Sequence, residues 1–320
     1  MEYFLGVDGG GTHTRSLVVS EDLSVIGSGL AGPADILSMG KDSVRNNLVH
    51  AIEASLASVN ISIEQIVSSC FGMPTYLDGV GTDEAINSLI KKVFPGLTVI
   101  VNDVQLALEA SFPMKSGAIM LSGTGAMLMF RNASNEIHRI DGWGELAGDM
   151  GSGYYIGLKA LQTAFKQFDG RIKNKKLLEA IMREIGVFDI REVINHSFNG
   201  SRKLVASLSK IVCSVANEED AISKALLEDA TNELLITIFA VKDLTDSLPI
   251  EIALSGGVFK CSYLRERVEK TILADKDLKL VNSEFDNIWG AIFLAISNVK
   301  DRRFLQDFID KLRSLSAHHK

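Results

Sequence analysis

The feature that most restricts this fold is a strand that runs into glycines and returns at once as another strand, and it occurs twice. Residues 4–20, FLGVDGGGTHTRSLVVS, pass from an apolar run through Asp8 and three glycines into a second apolar run. Residues 118–130, AIMLSGTGAMLMF, do the same through Gly123, Thr124 and Gly125. In a Walker loop or a dinucleotide fingerprint, the glycine turn leads into a helix whose N-terminus holds the phosphate. The first stretch has neither GxxxxGK[ST] nor GxGxxG, and the residues after its glycines alternate like strands, so it reads as a hairpin with its tip at Gly9–Thr12. Glycines there let the backbone take positive φ and approach a ligand closely, while Thr12 and Thr14 add hydroxyls. A hairpin whose glycines serve only the turn is the alternative at this point.

Recurrence favours the ligand. Two such hairpins, one opening each half of the chain, suggest a nucleotide clamped between related halves. A third glycine pair, Gly256-Gly257 in IALSGGVFKCSYL, ends a strand pattern and precedes a helix, a position from which backbone amides can meet an adenosine. The length of 320 residues is more than one core usually serves and predicts two lobes. Short β-branched runs alternate with helical patterns at 41–58 and 83–93, and the stretch from about 154 to 245 is almost wholly helical. Mixed α/β with two sheets and a helical insertion is expected, and no Ser/Gly linker separates the lobes.

A net charge of -7 argues against a nucleic-acid or membrane-surface binder, since either would show a basic face. No apolar run approaches a membrane span, and the strand pattern at the N-terminus does not read as a signal peptide. Cys70, Cys213 and Cys261 form no pair at metal-ligand spacing. They predict a reduced, cytoplasmic protein without structural zinc.

The ordered set GVDGGGTHT, VNDVQLAL, LSGTGAM, DGWGELAGDMGSGYYIGLKAL, LSGGVF and WGAIFLA resembles the BadF/BadG/BcrA/BcrD ATPase family, and within it the N-acetylglucosamine kinase branch of the actin, sugar kinase and heat-shock ATPase superfamily. The resemblance covers nearly the whole chain. It implies two ribonuclease-H-like lobes with a nucleotide cleft between them: residues 1–113, completed by C-terminal helices 287–320, and residues 114–286 carrying the helical insertion. It further implies Mg-ATP, a small sugar as acceptor, lobe closure on substrate binding, and a homodimer. Carried over by residue, Asp8 sits near the magnesium through water, and Gly10, Gly11 and Thr12 contact the β- and γ-phosphates. Gly123, Thr124 and Gly125 form the second phosphate hairpin, and Gly256 and Gly257 line the adenosine pocket.

Asp103 matches the family's catalytic carboxylate, and its chemistry stands independently. Phosphoryl transfer needs the acceptor hydroxyl held in line with the γ-phosphate, and a carboxylate that takes its proton both positions and activates it. An Asp at a helix start is otherwise an ordinary N-cap. For the acceptor, Gly142, Trp143, Gly144, Glu145 and Asp149 are the expected contacts, with Trp143 under the sugar ring and Asp149 accepting from two hydroxyls. The alternative is a glycine-rich cap on the following helix with Trp143 in the core. Where the N-acetylglucosamine kinases have Ser-Asn this chain has Ala126 and Met127, and their sugar-contacting Asn is Asp35 here. The acceptor is therefore expected to be an N-acetylhexosamine or hexose, with the sugar acid 2-keto-3-deoxygluconate as the alternative, for which Arg15, Lys41 or Arg131 would supply a cation. A 2-hydroxyacyl-CoA dehydratase activator would need a pair of cysteine ligands, and a purely conformational nucleotide clamp would not need the Trp143–Asp149 block.

Overall fold

The computed structural model describes residues 1–77, 79, 81–199 and 202–317. The chain divides into two compact units, Met1–Lys115 with Ser283–Lys320, and Ser116–Asn282.

In the first unit, β1 (Tyr3–Gly9), β2 (Thr14–Ser20), β3 (Ile26–Ala31), β4 (Ile66–Met73) and β5 (Thr98–Asn102) form one sheet in the order β3-β2-β1-β4-β5. The first three strands meander antiparallel, whereas β4 and β5 run parallel to β1. β1 lies in the middle because it is apolar on both faces: Phe4 enters one core and Leu5 and Val7 the other. Helices α1 (Ile36–Met39), α2 (Lys41–Ala57) and α3 (Thr82–Val93) belong to the second of these cores through Ile36, Leu48, Ile52, Ile86 and Ile90. The opposite face is covered by α4 (Asp103–Ser111) and by the C-terminal helices, numbered α11 (Asn287–Ser297) and α12 (Arg302–Ala317) in chain order. Each fully buried Phe or Leu in these layers contributes about 2 kcal/mol. The close crossing of α4 and α11 needs Gly290, where a Cβ would lie 2.1 Å from the carbonyl oxygen of Leu106.

The second unit repeats this plan. β6 (Gly117–Ser122), β7 (Ala126–Arg131), β8 (Ile137–Asp141), β9 (Ile250–Ser255) and β10 (Leu278–Val281) take the order β10-β9-β6-β7-β8, again a three-strand meander followed by two parallel strands. Between the meander and β9 the chain inserts α5 (Gly153–Phe168), α6 (Lys176–Ile185), α7 (Ile190–Asn199), α8 (Arg202–Asn217) and α9 (Ala221–Phe239), where the first unit has α1, α2 and a 3-10 turn at Ile63–Gln65. These helices and α10 (Ser262–Leu273) share one core with the sheet, joining Met120, Leu128 and Phe130 to Ile156, Leu208, Leu234 and Val268. This is the duplicated α/β fold with a helical insertion that the sequence predicts.

Two expectations are corrected. β8 and β10 are strands that the residue pattern does not reveal, because each is a short sheet edge with part of its surface exposed. The reading of three reduced thiols is wrong for two of them: Cys213 on α8 and Cys261 just before α10 form a disulfide across 48 residues of sequence, with Cα atoms 5.8 Å apart. Cys70 is a free thiol buried in β4, and that burial pushes its pKa up. Among the described residues, no helix is long and apolar enough to cross a membrane.

Candidate active site

The first unit brings Asp8 and Asp103 to the carboxyl end of its parallel strands. Asp8 on β1 stands opposite Gly72 on β4, and the next residue of β4, Met73, stands opposite Asn102 on β5. Asp8 and the Asn102-Asp103 pair therefore lie at the carboxyl ends of two parallel strands with only β4 between them, where open α/β sheets bind ligands. Beyond Asp8 the hairpin tip closes with the Gly10 N–H donating to His13 O at 2.8 Å. The Ala34 N–H donates to Gly10 O at 3.0 Å, which ties the tip to the start of α1. Asp35 caps that helix, its Oδ1 accepting from the Leu37 N–H at 3.1 Å, so the residue expected to touch sugar also serves as a cap.

Asp103 is not the cap of α4. Asn102 does that work: its Oδ1 accepts from the Val104 N–H at 3.0 Å and its Nδ2 donates to Tyr76 O at 3.1 Å. Asp103 is left as the first helical residue, half-buried at the start of the helix.

Asp8 is not a solitary carboxylate. Arg15 reaches its Oδ2 at 2.6 Å and, with its other terminal nitrogen, the Oδ1 of Asp286 at 2.8 Å. Burial raises the pKa of Asp8, and the Arg15 hydrogen bond and charge only partly offset this. At Asp286, burial also pushes upward, but Arg15 and the Ile288 N–H outweigh it and the net shift is downward. Asp286 caps α11 and was not expected at the site, because nothing in its local sequence links it to a strand nearly 280 residues away.

In the second unit the Gly123–Gly125 tip is strapped from outside. The first amides of α5 donate to it, Gly153 N–H to Gly123 O at 2.8 Å and Tyr154 N–H to Thr124 O at 3.2 Å. Asp149 Oδ1 accepts from the Ala126 N–H at 3.0 Å. At neither tip is positive φ the reason for glycine, contrary to expectation, since Gly9, Gly10, Gly11, Gly123 and Gly125 all lie outside that region. What the tips share is unpaired backbone: among the described residues, the N–H groups of Gly11, Thr12, Thr124 and Gly125 donate to no protein acceptor.

The loop from Gly142 to Gly151 is rich in positive φ, at Gly142, Gly144, Asp149 and Gly151, yet it is fixed rather than loosened. Asp141 holds it by accepting from the N–H groups of Gly142, Asp149 and Met150 at 2.7, 2.8 and 2.8 Å. Trp143 is 59% exposed, which excludes the core alternative, and the guanidinium of Arg139 covers one of its faces at 4.2 Å from the ring centroid. Asp149 is only 5% exposed. Its second oxygen is paired with Arg202, whose Nε is also 3.0 Å from Glu145 Oε2. Arg202 was missed because it lies 53 residues beyond Asp149 in a helical stretch, where an arginine reads as surface charge. Of the cations named as alternatives, Arg15 is engaged by two carboxylates, Lys41 lies exposed at the start of α2, and Arg131 is buried at the end of β7. Ala126 and Met127 are both buried, and a side chain at Gly142 would strike Met127. Gly256 has φ +104° and a Cβ there would fall 2.2 Å from Ser122 O, whereas Gly257 has open space.

Residues 5–295 match the model of the BadF/BadG/BcrA/BcrD ATPase family. The chain belongs to that family. An N-acetylmuramic acid/N-acetylglucosamine kinase of Clostridium acetobutylicum is 30% identical over 304 residues, covering 93% of this chain and 99% of that one. An N-acetyl-D-glucosamine kinase of Dictyostelium discoideum is 25% identical, with 93% and 99% covered. The solved structure of a proposed N-acetylglucosamine kinase from Chromobacterium violaceum superposes with a TM-score of 0.80 at 22% identity, over 92% of this chain and 99% of that one. Within this ATPase family, an activator that holds a cluster through paired cysteine thiolates finds little support in this chain, where Cys213 and Cys261 are bonded to each other and Cys70 is buried.

Proposed function

We propose that this member of the BadF/BadG/BcrA/BcrD family is a sugar kinase that transfers the γ-phosphate of ATP to a hydroxyl of an N-acetylhexosamine or hexose. The observation that carries the reading is the arrangement in the first unit, where Asp8, the unpaired amides of the glycine tip and Asp103 sit at the same end of the sheet while Asn102 relieves Asp103 of capping. Unpaired amides on a concave turn match phosphate oxygens. A carboxylate at a helix start that is relieved of capping matches a general base.

In this reading Gly10, Gly11 and Thr12 contact the β- and γ-phosphates, Gly123, Thr124 and Gly125 form the second phosphate contact, and Gly256 and Gly257 meet the adenosine. The acceptor rests on Trp143 and is held by Asp35, Gly142, Gly144, Glu145 and Asp149. Its hydroxyl oxygen forms the new bond to the γ-phosphorus, the bond to the bridging oxygen breaks to release ADP, and the hydroxyl proton passes to Asp103. Among the described residues no cage of three or more ligating side chains is present. Asp8 nevertheless fits a hydrated magnesium, which asks for one or two carboxylates beside phosphate and water. When bound, that ion neutralises charge on the phosphates. A cytoplasmic location and a homodimer belong to the same reading, on the strength of the family resemblance.

The test is ADP release from Mg-ATP with N-acetylglucosamine, N-acetylmannosamine, glucose, 2-keto-3-deoxygluconate and N-acetylmuramic acid. Strong stimulation by at least one compound is the expected result; none with any would overturn the kinase reading.

A further inference from the structure

Arg202 is the first residue of α8, and the fold dictates where it stands. α8 lies directly on α5 because position 157 is glycine: a Cβ there would be 1.8 Å from the carbonyl oxygen of Val205. This crossing brings Arg202 beside the start of α5, with its guanidinium 5.9 Å from the Tyr154 ring centroid. From there it bridges two of the carboxylates expected to hold the acceptor, pairing with Asp149 and lying 3.0 Å from Glu145. The Asp149 side chain is 7% exposed, but that of Arg202 is 39% exposed and that of Glu145 40%, so the bridge is covered on the Asp149 side and open on the other.

That arrangement sets up an exchange. An acceptor hydroxyl that donates to Asp149 Oδ2 or to Glu145 Oε2 meets an oxygen already paired with Arg202, so an acceptor that binds there loosens part of the guanidinium. A neutral sugar returns only hydroxyls or water to the loosened donors on the open side, weaker partners than a charged one. A sugar bearing a carboxylate returns a partner of the right shape, because a planar guanidinium fork binds a carboxylate through two parallel hydrogen bonds. The other charges facing this cluster do not compete: Asp141 is committed to three backbone N–H groups, and Arg139 is stacked on Trp143 and bonded to backbone carbonyls.

We infer that Arg202 is a specificity-determining residue which favours an acceptor sugar carrying a carboxylate over its neutral counterpart. The inference rests on the sugar kinase reading and deepens it by naming the substrate class. Of the cations that the sequence alone suggests for this task, Arg15 and Lys41 belong to the first unit and Arg131 ends β7, whereas Arg202 reaches Glu145 and Asp149 themselves.

The experiment compares N-acetylmuramic acid with N-acetylglucosamine, the same amino sugar with and without a carboxylate-bearing ether, in the wild-type chain and in Arg202→Gln and Arg202→Lys. The readout is the ratio of kcat/KM for the acid to that for the neutral sugar. Arg202→Gln is expected to lower this ratio about tenfold or more, and Arg202→Lys, which keeps the charge but not the fork, to lower it by a smaller factor. A ratio unchanged in both variants, or equal losses on both sugars, would show Arg202 to be a structural brace and overturn the inference. Wild-type turnover of the neutral sugar alone would overturn it as well while leaving the kinase reading intact. Turnover of neither sugar, nor of any other compound in the panel, would instead remove the kinase reading itself. Arg202→Lys keeps the positive charge beside Asp149 and Glu145 and serves if Arg202→Gln fails to fold.

Discussion

The hairpin at Gly9–Thr12 and the hairpin at Gly123–Gly125 occupy equivalent places in two copies of one fold, yet they are braced in different ways. The first is tied by a single backbone bond, from Ala34 to Gly10, and by the ion pair of Asp8 with Arg15. The second has its carbonyls taken by the first amides of α5 and its outgoing strand held by Asp149. In both, two amides are left without a protein partner. The difference indicates where each unit spends its side chains: the first keeps carboxylates at the strand ends, and the second uses a carboxylate, Asp149, to couple its turn to the Gly142–Gly151 loop.

The largest effect expected is on the chemical side. Asp103→Asn should lower kcat by about 10² to 10⁴ while leaving ATP affinity and thermal stability near wild type, because Asn102 and not Asp103 caps α4. Steady-state kinetics with the preferred sugar, read beside a melting curve, checks this. A melting temperature that falls along with kcat would mean that Asp103 holds structure, and the contrast between the two units would collapse.

Next in size is the contrast within the Gly256-Gly257 pair. Gly256→Ala must place a Cβ against Ser122 O from a left-handed backbone and should cost about 2–4 kcal/mol, measured by urea unfolding. Gly257→Ala meets nothing within 4 Å and should change stability by about 1 kcal/mol at most. If Gly257 lines the adenosine pocket, its variant should still raise the KM for ATP; equal stability losses in the two variants would deny the distinction.

The hairpin tips sharpen the comparison further. A Cβ at Gly11 or at Gly123 has open space, so both alanine variants should fold normally and raise the KM for ATP by about tenfold. Gly125→Ala differs, since its Cβ would lie 2.7 Å from Asp149 Oδ1 and 3.1 Å from Arg202. It should disturb sugar affinity as well as nucleotide affinity. An effect on ATP alone would show that the second tip is not coupled to sugar binding.

These residues also show how far the chain could be read in advance. Both hairpins, the helical insertion and the carboxylate after β5 were legible because each is a local pattern: a glycine run between apolar runs, a helical period, an Asp where a strand becomes a helix. The braces were not. Arg202, Asp286 and the Cys213–Cys261 disulfide act on partners 48 or more residues away, and no local spacing encodes them. Asp141 lay inside a motif that was recognised, but its task of collecting three amides depends on loop geometry that the letters DGWGELAGDM do not state. The role of glycine at the tips was misjudged for a related reason. Open space beside Gly11 and Gly123 is a property of what does not pack there, which a sequence cannot display.

The smallest effect expected separates the braces by pH. Asp8 and Asp286 share Arg15, but their pKa values move in opposite directions from the ordinary 3.8. For Asp8 the folded value is raised, so its contribution to stability is full below 3.8 and is lost as pH rises through the folded value. For Asp286 the folded value is lowered, so its contribution is present above 3.8 and is lost as pH falls through the folded value. Urea midpoints between about pH 3 and pH 7 should therefore respond with opposite sign. Asp8→Asn should remove part of any loss of stability on the rising side, and Asp286→Asn part of the loss on the acid side. The second hairpin is held by backbone bonds and by Asp149, so Ser152→Ala, which removes only the cap of α5, should shift the whole curve without changing its slope. If Asp8→Asn also left the slope unchanged, the ion pair would not be what distinguishes the first hairpin from the second.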